Sequence, residues 1–164
     1  VDDARGMEEV VRHLAEKGHG RIDFVMSPAQ PVSARRRRDA FLAECDRFGI
    51  RAVVRCFRDG DPAEFLRDSL ALKATVIVCW NDYTAHQLLQ SASTAGVRVP
   101  EDLAIAGFDG ITPPTGFASP LTTVVAPWAE AARTAVFQLD ALLRGEAVAT
   151  ETVLPVRFRV GTTT

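Results

Sequence analysis

Residues 75–111 read TVIVCWNDYTAHQLLQSASTAGVRVPEDLAIAGFDGI, and this stretch decides the fold. Thr75–Cys79 is a short β-branched run, the pattern of a strand buried on both faces. Asn81 and Asp82 follow where the chain leaves that strand, and either side chain can cap the next helix. A helix over about 83–95 places Ala85, Leu88, Leu89 and Ala92 at i, i+3, i+4 and i+7 on one face. Gly96 suits the position after its last turn, where φ turns positive. Pro100 biases Val99 away from helix, so 97–100 reads as an extended link. Leu103–Ala106 is a second buried strand, and Gly107-Phe108-Asp109 brings an aromatic ring and a carboxylate to its carboxyl end. Two strands joined by one helix lie parallel with a right-handed crossover. Their carboxyl ends, with Asn81 and Asp109, then open on one edge, where open α/β sheets bind ligands.

The chain of 164 residues is long enough for one domain with a real core. A hydrophobic share of 47% and a charged share of 24% are ordinary for a globular protein. A net charge of −2 gives no footprint for nucleic-acid binding, which needs a basic face. Nothing has the pattern of a signal peptide or an 18-residue apolar span, so the expected place is the cytoplasm, off the membrane. The abrupt start at Val1-Asp2-Asp3 leaves an upstream leader open. Cys45, Cys56 and Cys79 fit neither a disulfide framework nor a zinc site, and point to a reducing compartment.

Outward from the central stretch, the same alternation continues. A helix over about Arg5–Lys17 carries the stripe Met7, Val10, Val11 and Leu14, closed by Gly18, and Ile22–Met26 is the first buried strand. His13 and His19 read as a helix-surface residue and a partner for the helix C-terminal dipole. Ser33, as N-cap, opens a helix to Phe48 with Ala40, Phe41, Ala43 and Cys45 inward. The run Arg35-Arg36-Arg37-Arg38 points in four directions about 100° apart, so it cannot lie as one strip in a DNA groove. Either it is a solvated turn, or one arginine faces a cleft. Ile50–Phe57 is the second strand. Asp61 caps a helix that starts at Pro62, and Phe65 reads as a core residue. A helix over 127–144 with a wide apolar face and a strand at Val153–Val160 complete a doubly wound parallel α/β sheet.

Asn81-Asp82, Ala85, Ala95-Gly96-Val97, Val99-Pro100-Glu101-Asp102 and Gly107-Phe108-Asp109 stand in the order and spacing of one known group of proteins. The stretches Gly6…His13-Leu14…Lys17-Gly18-His19…Ile22 and Ser119-Pro120-Leu121-Thr122-Thr123-Val124 extend the match. The chain resembles the effector-binding domain of LacI/GalR bacterial transcription regulators, which has the type I periplasmic-binding-protein fold. The resemblance implies that 1–118 is the C-terminal subdomain of such a domain. It further implies that 119–147 is a strand and helix of the other subdomain, and 148–164 the strand that returns. The strand and helix of 120–145 would then lack their sheet, and the helix, with its wide apolar face, should pack on this domain or on another copy.

The same resemblance implies a ligand site. Aligned on Val32-Ser33-Ala34-Arg35 and Phe41, the effector-contacting arginine is Arg37, with Arg35 as the fallback one turn away and Ser33 as a secondary contact. The family commonly has Gly before the aromatic, where this chain has Asp39-Ala40. Arg37, Asn81 and Asp109 would converge as guanidinium, amide and carboxylate, a set that holds a polyol by paired hydrogen bonds. Phe108 or Trp80 would offer an apolar surface to a ring, though alternation along the strand can turn Trp80 into the core. The plain readings stand beside these: Asn81 or, preferably, Asp82 as a helix cap, and Asp109 as a turn former.

Ala85, Leu88, Leu89 and Phe117 match the family's dimer contacts. No nucleophile elbow, phosphate loop, dinucleotide fingerprint or zinc-protease motif occurs, so the expectation is a non-enzyme without cofactor or metal. The implied partners are a small sugar-like effector, a second copy, and DNA through a helix-turn-helix outside this chain. The competing expectation is a periplasmic sugar-binding protein of a transporter, and the other class is an interaction module without a ligand.

Overall fold

The computed structural model describes residues 1–56, 61–111 and 120–164. Its order is α1 (Asp3–Glu16), β1 (Arg21–Met26), α2 (Val32–Arg47), β2 (Arg51–Cys56), α3 (Pro62–Ala71), β3 (Val76–Cys79), α4 (Asp82–Ala95), β4 (Ala104–Asp109), β5 (Thr122–Val125), α5 (Trp128–Leu143) and β6 (Arg157–Arg159). The strands form one sheet in the order β2-β1-β3-β4-β5-β6. The pairs from β2 through β5 are parallel, and β6 closes the far edge antiparallel.

Period-two alternation divides the core into two halves, one on each face of the sheet. Ile22, Phe24, Val76, Val78, Ala104, Ala106 and Phe108 face α1 and α2, where Met7, Val10, Val11, Leu14, Phe41 and Cys45 cover them. Val25, Ile77, Cys79 and Ile105 face α3 and α4, against Leu66, Ala85, Leu88, Leu89 and Ala92. The α1 stripe is therefore as expected. Phe65 also lies in the second half, as a core residue, with the Arg55 guanidinium 4.1 Å above its ring.

Several expectations need correction. Asn81, not Asp82, caps α4, and its side chain accepts from Thr84 N at 2.9 Å. Ser33 is no cap, because the helix already begins at Val32 behind Pro31, and Pro31 offers no capping group. Ala43 is exposed, and the inner face of α2 is Ala34, Arg37, Phe41 and Cys45. The final strand contracts to Arg157–Arg159.

The segment 120–125 does not lack a sheet. β5 pairs with β4 on one side and β6 on the other, and Thr122, Thr123 and Val124 are fully buried. Among the described residues, α5 is the helix left without cover. None of its residues is buried, and Val136, Phe137, Leu139, Leu142 and Leu143 stand exposed. Among the described residues nothing buries that face.

The two histidines are structural. His19 Nδ1 meets Thr75 Oγ1 at 2.9 Å, and His13 Nε2 meets Thr164 Oγ1 at 2.9 Å with its ring against Phe158. His13 is thus half-buried rather than on the helix surface. Burial pulls both rings below the ordinary histidine range, with Lys17 adding to it.

Candidate functional site

The chain turns one way after β1, towards β2, and the other way after β3, towards β4. That reversal opens a crevice at the carboxyl ends of the strands, the usual ligand position in such sheets. A cleft of about 490 Å³ lies there, lined by Asp3, Ser33, Arg36, Arg37, Trp80, Asn81, Asp109 and Trp128 among others.

Its floor is built around Arg37. Only 3% of that side chain is exposed, because α2 turns it inward where Ala34 and Phe41 also point. Its Nε donates to Asp3 Oδ1 at 2.8 Å, and Nη1 donates to the Trp80 carbonyl at 2.7 Å. The guanidinium carbon sits 3.7 Å from the centre of the Phe108 ring, a cation–π contact in a desolvated place. Nη1 also lies 3.0 Å from Asp109 Oδ1. Of the four arginines in the run, only this one is buried. Arg35 Nη1 donates outward to the Gln30 carbonyl, Arg36 pairs with Glu151 at 3.2 Å, and Arg38 pairs with its neighbour Asp39.

Asp109 ends β4 with φ at 123°, outside the region L residues favour. Its carbonyl accepts from Ala126 N at 3.1 Å and from Trp128 Nε1 at 2.9 Å, which fixes the turn. The carboxylate is 8% exposed, and Oδ1 accepts no hydrogen bond despite the nearby guanidinium. The contact with Arg37 is a close charge pair. Burial pushes the Asp109 carboxyl up to about 6, against the pull of Arg37 and with Asp82 and Asp3 adding to the rise.

Asp82 lies behind the floor, fully buried. Its Oδ1 accepts from Thr123 Oγ1 at 2.6 Å, and Oδ2 accepts from Ile111 N at 2.7 Å. Burial raises its carboxyl from the ordinary range, while those two bonds hold it down. Gly107 makes room for it: a Cβ there would come within 2.2 Å of Asp82 Oδ1.

The structure thus brings Arg37, Asn81, Asp109 and Ser33 to one cleft and leaves Phe108 out. Phe108 is fully buried beneath Arg37, because alternation along β4 sends it to the α1 face. There Gly6 packs so closely that a Cβ would fall 2.5 Å from the ring. Trp80 lines the cleft while also packing on the core.

Ala85, Leu88 and Leu89 lie in the chain's own core, so they offer no surface to a second copy. Phe117 lies outside the described residues. Asp3 and Trp128 were not anticipated. Asp3 reads locally as an ordinary first-turn acid, and its partner is 34 residues away. Trp128 did carry a positional signal, since it opens a helix just past the carboxyl end of a strand. Among the described residues no cluster of three His, Cys, Asp or Glu could hold a metal, and no helix is long and apolar enough to cross a membrane.

Residues 11–164 match the periplasmic binding protein-like domain family. The transcriptional repressor CytR of Escherichia coli is 30% identical over 156 residues, covering 90% of this chain and 46% of that protein. The repressor PurR of Photobacterium profundum is 30% identical over 132 residues, covering 76% of this chain and 40% of its own length. The chain therefore spans less than half of these relatives. Among solved structures, the Lac repressor dimer bound to operator and an anti-inducer superposes with a TM-score of 0.86 at 25% identity, covering all of this chain and 59% of that one. A LacI family regulator from Enterococcus faecium with bound ribose gives a TM-score of 0.86 at 28% identity, covering 99% of this chain and 63% of its own.

Proposed function

The chain belongs to the periplasmic binding protein-like domain family, and from that premise we propose that it is the effector-sensing part of a LacI/GalR-type transcription regulator. The observation that carries this reading is the meeting of Arg37, Asn81 and Asp109 at one strand-edge cleft. Its ligand is a small sugar-like metabolite, held by hydroxyl–carboxylate and hydroxyl–amide bonds. The named relatives are repressors, so the transport-receptor reading is set aside. The Lac repressor and the ribose-bound regulator lend the analogy for effector and operator. The regulator works in the cytoplasm, where its DNA is, and performs no catalysis.

Resemblance assigns 1–118 and 148–164 to one subdomain, and 119–147 to its counterpart. β5 pairs with β4 in the described sheet. Effector binding favours one orientation of the two halves, and so changes operator affinity by linkage. A dimer contact on α4 would use its outward side, along Tyr83, Gln87, Gln90 and Thr94, because the inward side is filled.

The test is calorimetric titration of the chain with pentoses, hexoses and nucleosides, repeated with Asp109→Ala and Arg37→Ala. Binding by the wild type that both variants lose, with the far-ultraviolet circular dichroism of each retained, supports the reading. An unchanged ligand profile in both variants removes this cleft as the site.

A further inference from the structure

Asp82 is fully buried and sits behind the cleft rather than in its lining. It opens α4 next to Asn81, but the two side chains go to different places. Asn81 closes the helix N-terminus at the cleft wall, whereas Asp82 reaches back to two other elements. Its Oδ2 accepts from Ile111 N at 2.7 Å, in the turn that leaves β4. Its Oδ1 accepts from Thr123 Oγ1 at 2.6 Å, on β5. One turn further along α4, His86 Nε2 lies 3.4 Å from the Ile111 carbonyl. α4 thus holds both the amide and the carbonyl of Ile111.

That grip falls next to a costly backbone geometry. Asp109, two residues before Ile111, has φ at 123°, and Gly110 follows at 74°. A residue with a Cβ keeps such a φ only where its surroundings enforce it. Gly110 is pressed against β5, since a Cβ there would lie 2.8 Å from Val125 Cα. The Asp109 carbonyl is tied to Ala126 N and Trp128 Nε1, at 3.1 and 2.9 Å. Those bonds fix the near end of the turn, and the Asp82 bond to Ile111 N fixes its far end.

We infer that Asp82 is a positioning residue for the cleft: it keeps the 109–111 turn in its strained form and so aims the Asp109 carboxylate at Arg37 and the ligand space. The inference rests on the effector reading for what Asp109 contacts, and on the turn geometry for what Asp82 does. A carboxylate suits the task because its two oxygens each accept from a separate element. Without it the Ile111 amide loses its partner and the strain is no longer enforced. A turn that relaxes carries the Asp109 carbonyl away from Trp128 Nε1, so the indole reports on the turn whether or not a ligand is bound.

The test follows the Trp128 indole N–H resonance in a heteronuclear spectrum, told apart from that of the chain's other tryptophan with Trp80→Phe. Asp82→Ala should move it upfield, as a lost hydrogen bond does. The same variant should weaken by about tenfold the binding of whichever pentose, hexose or nucleoside the wild type takes, the scale of one hydrogen bond to a charged group. Asp82→Asn should restore both, because its amide can accept from Ile111 N and donate to Thr123 Oγ1. Thr123→Val should move the resonance in the same direction by a smaller amount. A role in stability alone would lower the denaturation midpoint and leave the folded-state resonance in place. An unmoved resonance in Asp82→Ala overturns the inference, and so does an Asp82→Asn variant displaced as far as the alanine. If Asp82→Ala does not fold, Thr123→Val decides, and an unmoved resonance there overturns the inference. If no sugar or nucleoside binds the wild type, the effector reading falls, and the indole resonance still decides whether Asp82 holds the turn.

Discussion

The Arg37 guanidinium rests 3.7 Å above the Phe108 ring, so a charged group is seated on the hydrophobic core rather than in water. The two side chains come from α2 and β4. Phe108 is fully buried with Arg37 on one face of its ring, and Arg37 makes three polar contacts from that seat.

Arg37→Lys should destabilise the fold by about 1–3 kcal/mol, because an ammonium cannot reproduce the planar fork or the stacking. Arg35→Ala and Arg38→Ala, on the exposed side of the same helix, should each stay within about 0.5 kcal/mol. Urea denaturation of the three variants checks the contrast. Equal losses would mean that the inward arginine carries no special share.

Gly6→Ala should cost about 1–3 kcal/mol, the usual scale for overpacking a filled core. The added methyl meets the Phe108 ring at 2.5 Å and Val124 Cγ1 at 3.0 Å, and a ring that moves takes Arg37 with it. The variant should therefore lose both midpoint stability and ligand affinity. Gly20→Ala is the control, because a Cβ there meets nothing within 4 Å.

Asp109 gives a pH signature. Its folded carboxyl, at about 6, lies above the ordinary value of 3.8, so the folded state holds its proton more tightly than the unfolded chain. Below pH 3.8 both states are protonated, and the contribution is fully present. It is lost as pH rises towards 6, and is flat above that. Wild-type stability should thus fall relative to Asp109→Asn between about pH 4 and 6, by roughly 1–3 kcal/mol, since each tenfold gain in proton affinity is worth about 1.4 kcal/mol. Parallel denaturation curves across that range would show that the carboxyl is not perturbed.

Asn81 has two roles that substitution can separate. Asn81→Ala removes the bond to Thr84 N and should cost about 1 kcal/mol, the normal value of a helix cap. Asn81→Asp keeps the cap and should retain stability, while its added charge alters ligand affinity. If both variants bind ligand like the wild type, Asn81 is a cap alone.

α5 should make the isolated chain associate. Phe137 and Leu143 are 72% and 79% exposed, on a helix with no buried residue. Phe137→Glu with Leu143→Lys should shift light-scattering mass towards the monomer and leave the melting temperature unchanged. A drop in melting temperature would mean that the face is packed after all.

The sequence by itself determined the first four strands, the α1 and α4 stripes and the edge on which Asn81 and Asp109 emerge. All of these follow from local periodicity, caps and glycine positions. It also singled out Arg37 among four arginines, but only by resemblance to a family, since helix geometry alone leaves each of them a direction. What the tertiary structure decided were the pairings between distant residues. Asp3 meets Arg37, Phe108 turns under the guanidinium, and Asp82 reaches Thr123 across the sheet, 41 residues away. No local pattern specifies such contacts, because a carboxylate in a helix's first turn looks the same whether it faces water or a buried arginine. The stripe Ala85, Leu88 and Leu89 fits an intramolecular core and a dimer surface equally well. Only the sheet that covers it shows which surface it serves.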